Sequence, residues 1–180
     1  MSTRILCLGN ELVGDDGVAF RIGRVLRGLR LPDGVGVELV PQLGFDLLDL
    51  VAGTDRIVLV DAMSTGRPAG TCVTLEGRAV ERYSAGTSAS HTLGIAELME
   101  LAHRLAPERK VATLFFVGVE GKAFGEYGTA LSPEVAAAIP AAVEAVLRIV
   151  GADEDTLTQA RKASQQAAVE LPSIEALLGR

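Results

Sequence analysis

Two carboxylates and one imidazole, distant from one another in the sequence, are the side chains that could form a metal site. Asp16 follows the apolar run Ile5–Leu8 across a glycine-rich turn, and Asp61 ends the apolar run that starts at Ile57. His91 stands directly before a stretch with helical periodicity. Carboxylate oxygens and an imidazole nitrogen are a suitable ligand set for a divalent transition metal. We therefore predict that Asp16, Asp61 and His91 share one site.

Each of these residues also has a simpler interpretation. Asp15 and Asp16 are adjacent, and one of them could cap the helix that follows. A cap needs only one acid, which leaves the other available for a site. Asp61 could merely end a strand, and His91 could be a helix residue without a ligand. His103, the only other histidine, lies late in its predicted helix and is given no role.

The elements that would bring these residues together are predicted from the apolar pattern. Short unbroken apolar runs indicate strands buried on both faces, and 3.6-residue periodicity indicates helices. The predicted strands are 5–8, 35–40, 57–62, 71–75 and 110–119, and the predicted helices are 18–29, 44–52, 92–105 and 133–149, the last capped by Ser132.

This alternation predicts an α/β fold with three layers: a doubly wound, mostly parallel sheet with helices on both faces. The strand at 71–75 follows Asp61 too closely for a helical crossover, so we expect it to pair antiparallel. In such sheets ligands bind at the carboxyl ends of the strands. Asp16 and Asp61 should therefore lie on the same edge.

Composition sets the class of protein. The chain has 180 residues and a net charge of −6 without a basic stripe, which argues against binding to nucleic acid or to an anionic membrane. We find no signal peptide and no run of transmembrane length, and Cys7 and Cys72 form no Cys-x-x-Cys pair. We expect one cytoplasmic domain over residues 1–151, followed by an appended tail, 152–180, that is partly helical or disordered.

Four segments in order resemble the motifs of the [NiFe]-hydrogenase maturation endopeptidases. The resemblance runs from residue 4 to about residue 150. The segments are Gly9-Asn-Glu-Leu-Val-Gly-Asp-Asp-Gly17, Val58-Leu-Val-Asp-Ala-Met63, Ser90-His-Thr-Leu-Gly-Ile-Ala96, and Phe116-Val-Gly-Val-Glu120 with Leu131-Ser-Pro-Glu-Val135.

The resemblance implies a cytoplasmic protease that removes a C-terminal peptide from a hydrogenase large-subunit precursor after nickel insertion. We expect the protein to be a monomer. It places the metal ligands and catalytic residues at Asp16, Asp61 and His91. Nickel would be supplied by the precursor, and another divalent metal could replace it in its absence. Three protein ligands leave coordination positions open for a metal already bound to substrate. Asp15, Asp16 and Asp61 are the candidates for a catalytic base.

Two alternative functions use the same residues. A nickel-binding maturation chaperone would have the same ligands without peptidase activity. A phosphoacceptor receiver domain also pairs an acidic doublet with an Asp after a later strand. The receiver hypothesis leaves His91 without a role, and Lys122 is a poor substitute for the basic residue that receivers carry after a late strand.

Overall fold

The computed structural model describes residues 1–41, 53–80, 113–125 and 127–167. Among these residues, five strands form one sheet: β1 (Thr3–Leu8), β2 (Val35–Val40), β3 (Arg56–Met63), β4 (Cys72–Glu76) and β5 (Thr113–Glu120). Three helices are described: α1 (Val18–Arg27), α2 (Pro133–Val150) and α3 (Glu154–Ala167). A single 3₁₀ turn, Gly14–Gly17, lies between β1 and α1. The helices predicted at 44–52 and 92–105 lie outside the described residues.

The sheet has the strand order β2-β1-β3-β5-β4. The pairs β1–β2, β1–β3 and β3–β5 are parallel, and β4 pairs antiparallel with β5. Both the mostly parallel α/β sheet and its antiparallel strand are therefore as predicted. The chain leaves β1 toward β2 on one side and occupies β3, β5 and β4 on the other. The gap between the carboxyl ends of β1 and β3 is thus the switch point at which open α/β sheets bind ligands.

The two faces of the sheet contribute to two apolar clusters. On one face, alternate strand residues such as Ile5, Val58 and Val117 pack in a core with α1, α2 and α3. On the other face, Leu6, Leu59 and Phe116 belong to a second buried cluster. Asp61 follows Leu59 by two residues in β3, so the strand repeat places it on the second face. No helix among the described residues is long and apolar enough to span a membrane.

Helix α3 packs into the first core, although the sequence predicts only an appended segment there. Leu157 and Ala160 are buried in the core that α1 and α2 share. The Thr156 hydroxyl donates to the carbonyl oxygen of Arg30, just beyond α1, at 3.2 Å. The helical part of the tail is therefore packed on the domain.

Removal of residues 152–180 is expected to lower the free energy of unfolding by about 3 kcal/mol or more, because it exposes to water the apolar core surface that Leu157 and Ala160 cover. Urea denaturation of the full chain and of the chain ending at Gly151 would measure the difference. A chain ending at Ala167 is the control, since it keeps every contact described for α3. Equal unfolding free energies for the full chain and the 1–151 chain would show that the tail contributes nothing to the fold.

Candidate metal and active site

The switch point places Asp16 and Asp61 on the same edge of the sheet. The last register pair of β1 with β3 is Cys7 with Val60, whereas β3 continues alongside β5, where Asp61 pairs with Gly118. Asp61 is therefore the first residue of β3 beyond its pairing with β1. At this level the chain turns away from β1 through Gly9 and enters the 3₁₀ turn that carries Asp16. The predicted meeting of the two strand ends follows from this parallel register.

Asp61 is a buried carboxyl group with an unsatisfied oxygen. Its side chain is 1% exposed, and Oδ1 has no hydrogen-bond partner within the described ranges. Burial raises the pKa of Asp61 well above its ordinary value, and the negative charge of Asp16 raises it further. Such a group is costly to the fold unless it binds something. A cation between the two carboxylates would satisfy the free oxygen and remove their repulsion.

Asp16 is half-buried and is fixed by the turn itself. Its Oδ2 accepts a hydrogen bond from the backbone N–H of Asn10 at 2.7 Å. Its carbonyl oxygen lies against Gly9, so closely that a Cβ at Gly9 would stand 2.1 Å away. Asp16 does not cap α1, since the residue at the cap position is Gly17 and no side chain bonds there. One carboxylate oxygen of Asp16 is thus held by the turn, while its charge acts on Asp61.

Asp15 has a different environment and does not belong to the same site. It is fully buried, and its oxygens accept hydrogen bonds from the backbone N–H groups of Lys122, Ala123 and Ser132 and from the Ser132 hydroxyl, at 2.5–2.9 Å. Burial alone would raise the pKa of Asp15, but these hydrogen bonds outweigh it and lower the pKa. Asp15 is therefore an unsuitable base, and it does not cap α1.

Ser132 is the N-cap residue of α2, as predicted, but its side chain does not make the cap hydrogen bond. Its hydroxyl donates to Asp15 instead. A hydrogen bond to a charged carboxylate is roughly twice as strong as one between neutral groups, which favours the side-chain orientation that faces Asp15.

The third predicted ligand, His91, lies outside the described residues, as does His103. Within the described part of the chain, no group of three His, Cys, Asp or Glu residues is placed to hold a metal ion. Asp16 and Asp61 supply two carboxylates at one edge, and a third ligand is needed to complete a site of the predicted kind. The role of His91 as that ligand stays a prediction.

Glu120 has a structural role at this edge that its place in the fourth sequence motif does not indicate. It ends β5, is 1% exposed, and accepts hydrogen bonds from the backbone N–H groups of Thr65, Gly66 and Arg67 at 2.6–3.2 Å. The Thr65 hydroxyl donates to its second oxygen at 2.7 Å. Glu120 thereby fixes the loop that leaves β3 just after Asp61. An acid at the end of an apolar run was the available signal, but that signal does not distinguish a ligand from a loop anchor.

Replacement of Gly9 by Ala is expected to disrupt the turn and the position of Asp16. Gly9 has φ +144°, and an added Cβ would collide with backbone rather than with a flexible side chain. The cost should be about 2 kcal/mol or more in unfolding free energy, from strain and displaced packing. Thermal unfolding would measure it. Gly53→Ala is the control, because Gly53 also has positive φ but has nothing within 4 Å of an added Cβ. Equal destabilisation by both substitutions would show that the contact with Asp16 is unimportant.

Comparison with known proteins identifies the family of the chain. A family model described as hydrogenase maturation protease matches residues 42–149. Protein FrxA of Pyrococcus furiosus is 34% identical over 139 residues, which are 77% of this chain and 97% of FrxA. The hydrogenase-maturating endopeptidase HybD of E. coli is 27% identical with a TM-score of 0.76, covering 84% of this chain and 93% of that chain.

The [NiFe] hydrogenase maturation protease HybD of Thermococcus kodakarensis is also similar in structure. It is 32% identical with a TM-score of 0.72, and the alignment covers 83% of this chain and 99% of that chain. The family model spans more than half of the chain, and FrxA is matched over nearly its whole length. The resemblance found in the four sequence motifs is therefore confirmed. The chain belongs to the hydrogenase maturation proteases, a family of endopeptidases.

Proposed function

We propose that this protein removes the C-terminal extension of a [NiFe]-hydrogenase large-subunit precursor once nickel has been inserted, and that it recognises the nickel held by the precursor. The single observation that carries the proposal is the buried Oδ1 of Asp61, which has no hydrogen-bond partner among the described residues and lies near the charge of Asp16. Nickel arrives here as part of the substrate. Imidazole and carboxylate ligands suit it.

The residues have separable tasks in this proposal. Asp16, Asp61 and His91 would bind the nickel and thereby align the adjacent peptide segment of the precursor with the edge of the sheet. A precursor without nickel would lack this anchor and would leave the two carboxylates in mutual repulsion. Discrimination between loaded and unloaded precursor then follows from electrostatics, because the site is completed only by a cation.

The described side chains reduce the number of residues that could act as the nucleophile or the catalytic base. Cys7 is fully buried and its pKa is raised to about 12, chiefly by burial, which makes a thiolate nucleophile at this position untenable. Burial also raises the pKa of Cys72. Both oxygens of Asp15 are engaged. Asp16 and Asp61 remain as the described carboxylates that could accept a proton from an attacking water.

The receiver-domain alternative has no support in the described residues. The ammonium group of Lys122 pairs with the Glu134 carboxylate at 2.8 Å, on the first turn of α2. The edge strand β4 is antiparallel, and the family match is to proteases. The chaperone alternative shares the proposed ligands and differs only in the absence of cleavage.

The decisive experiment incubates the purified protein with a nickel-loaded precursor and with the same precursor prepared without nickel. Mass spectrometry should show loss of a C-terminal peptide from the loaded precursor only. Binding of the loaded precursor without any change in its mass would support the chaperone function instead. Equal cleavage of both precursors would show that nickel is not what the protein recognises. The mass of the purified protein in solution would test whether it is a monomer, as expected. Fractionation of cells would test the expected cytoplasmic location.

A further inference from the structure

Asp15 joins three segments of the chain that meet behind Asp16. Its carboxylate accepts hydrogen bonds from residues 107 to 117 positions later in the sequence, two in the loop after β5 and one at the start of α2. The carboxylate is fully buried, so these bonds form away from water.

Backbone contacts reinforce the same junction. The Asp15 N–H donates to the carbonyl oxygen of Ala123 at 3.0 Å, and the Gly14 N–H donates to that of Gly128 at 2.8 Å. The approach is close on both sides of Asp15. A Cβ at Gly14 would lie 2.6 Å from the Ala123 oxygen, and a Cβ at Gly121 would lie 3.0 Å from the Asp15 Cβ. Hydrogen bonds and close packing with the loop that follows β5 therefore fix the turn that carries Asp16.

We infer that Asp15 is a positioning residue for nickel recognition: its carboxylate fixes the turn so that the neighbouring Asp16 faces Asp61. The inference rests on the proposed function, since it concerns how the proposed ligands are held. The two adjacent acids then divide the work, with Asp15 directed into the protein and Asp16 toward the switch point. Mutation of a group that orients a metal ligand typically lowers metal affinity by about 10–100-fold.

Asp15→Asn removes the charge with little change of shape. One amide cannot accept hydrogen bonds from all the donors that surround Asp15. Its NH₂ group must take the place of Oδ1, which faces the Ser132 N–H, or of Oδ2, which faces the N–H groups of Lys122 and Ala123 and the Ser132 hydroxyl. At least one buried donor then loses its acceptor, which loosens the turn. Ser132→Ala is the milder variant, since it removes only the hydroxyl donor and keeps the carboxylate with its three backbone partners.

The test measures affinity for Ni²⁺ alone by isothermal titration calorimetry, together with thermal unfolding. Asp15→Asn should weaken nickel binding about 10-fold or more, and Ser132→Ala should weaken it less. Leu157→Ala is the matched control, because it destabilises the core through α3, away from the turn, and should leave nickel affinity unchanged. If the role of Asp15 were purely structural, Asp15→Asn and Leu157→Ala would both have a lower unfolding temperature and would have the same nickel affinity.

Wild-type nickel affinity in folded Asp15→Asn would overturn the inference. If that variant did not fold, unchanged affinity in Ser132→Ala would overturn it instead. Asp16→Asn separates this failure from failure of the proposed function. Loss of binding in Asp16→Asn with full binding in Asp15→Asn would reject only the positioning role. Full binding in Asp16→Asn, or no nickel binding by the wild type, would reject the proposed site itself.

Discussion

Asp61→Asn is expected to abolish processing of the precursor and, at neutral pH, to make the nickel-free protein more stable. The substitution removes one proposed ligand, so processing should fall by more than about 100-fold, beyond what loss of an orienting group costs. It also removes a carboxyl group whose ionisation the fold opposes through burial and the charge of Asp16. Asn has the shape of the protonated acid and no charge. The unfolding free energy should rise by at least about 1 kcal/mol, or roughly 2–4 °C in unfolding temperature for a chain of this length.

The pH dependence of stability provides an independent measurement on the same variant. The folded protein holds a proton on Asp61 at pH values where the unfolded chain has released it, because the pKa of Asp61 is raised on folding. The contribution of Asp61 therefore makes the nickel-free protein lose stability as pH rises from about 4 toward the folded-state pKa. Asp61→Asn should remove this loss. Urea denaturation of both proteins across pH 4 to 8 would show it.

Asp15 should act with the opposite sign in the same experiment. Its pKa is lowered in the folded protein, so its contribution to stability is present above its unfolded pKa and is lost as pH falls through the folded value. The acid side of the stability profile should therefore flatten in Asp15→Asn, whereas Asp61→Asn should change the neutral side. A lower unfolding temperature for Asp61→Asn at pH 7, or wild-type processing, would contradict the assignment of Asp61.

The placement of Asp16 and Asp61 could be predicted because it depends on local patterns and on one rule of topology. Unbroken apolar runs identify β1 and β3, and parallel strands bring their carboxyl ends to one edge. The antiparallel direction of β4 could also be predicted, since the connection after Asp61 is too short for a helical crossover. These features require no knowledge of which distant side chains touch.

The division of work between Asp15 and Asp16 could not be predicted in the same way. Both acids precede a helix, and the sequence pattern makes each of them an equally good candidate for its N-cap. What separates them is contact with Lys122, Ala123 and Ser132, more than 100 positions away. The same holds for Glu120, whose partners lie in the loop after β3. Hydrogen bonds between segments distant in sequence leave no periodic signal, so ligands and anchors of the same residue type look alike.

His91→Ala is expected to abolish processing, with a loss of more than about 100-fold, and to leave the unfolding free energy of the nickel-free protein within about 0.5 kcal/mol of wild type. The proposed site needs a third ligand beside Asp16 and Asp61, and imidazole binds nickel well. The chain has two histidines. His103→Ala is thus the matched control, with the same chemical change and no proposed role.

Both histidine variants should be assayed with nickel-loaded precursor by mass spectrometry and with Ni²⁺ alone by calorimetry. His91→Ala should lose both activities, and His103→Ala should keep both. The nickel affinity of the wild type should also fall at acid pH, because an imidazole must be neutral to bind a metal and its ordinary pKa is near 6.5. Wild-type processing in His91→Ala, or equal losses in the two variants, would remove His91 from the site and leave Asp16 and Asp61 in need of a different third ligand.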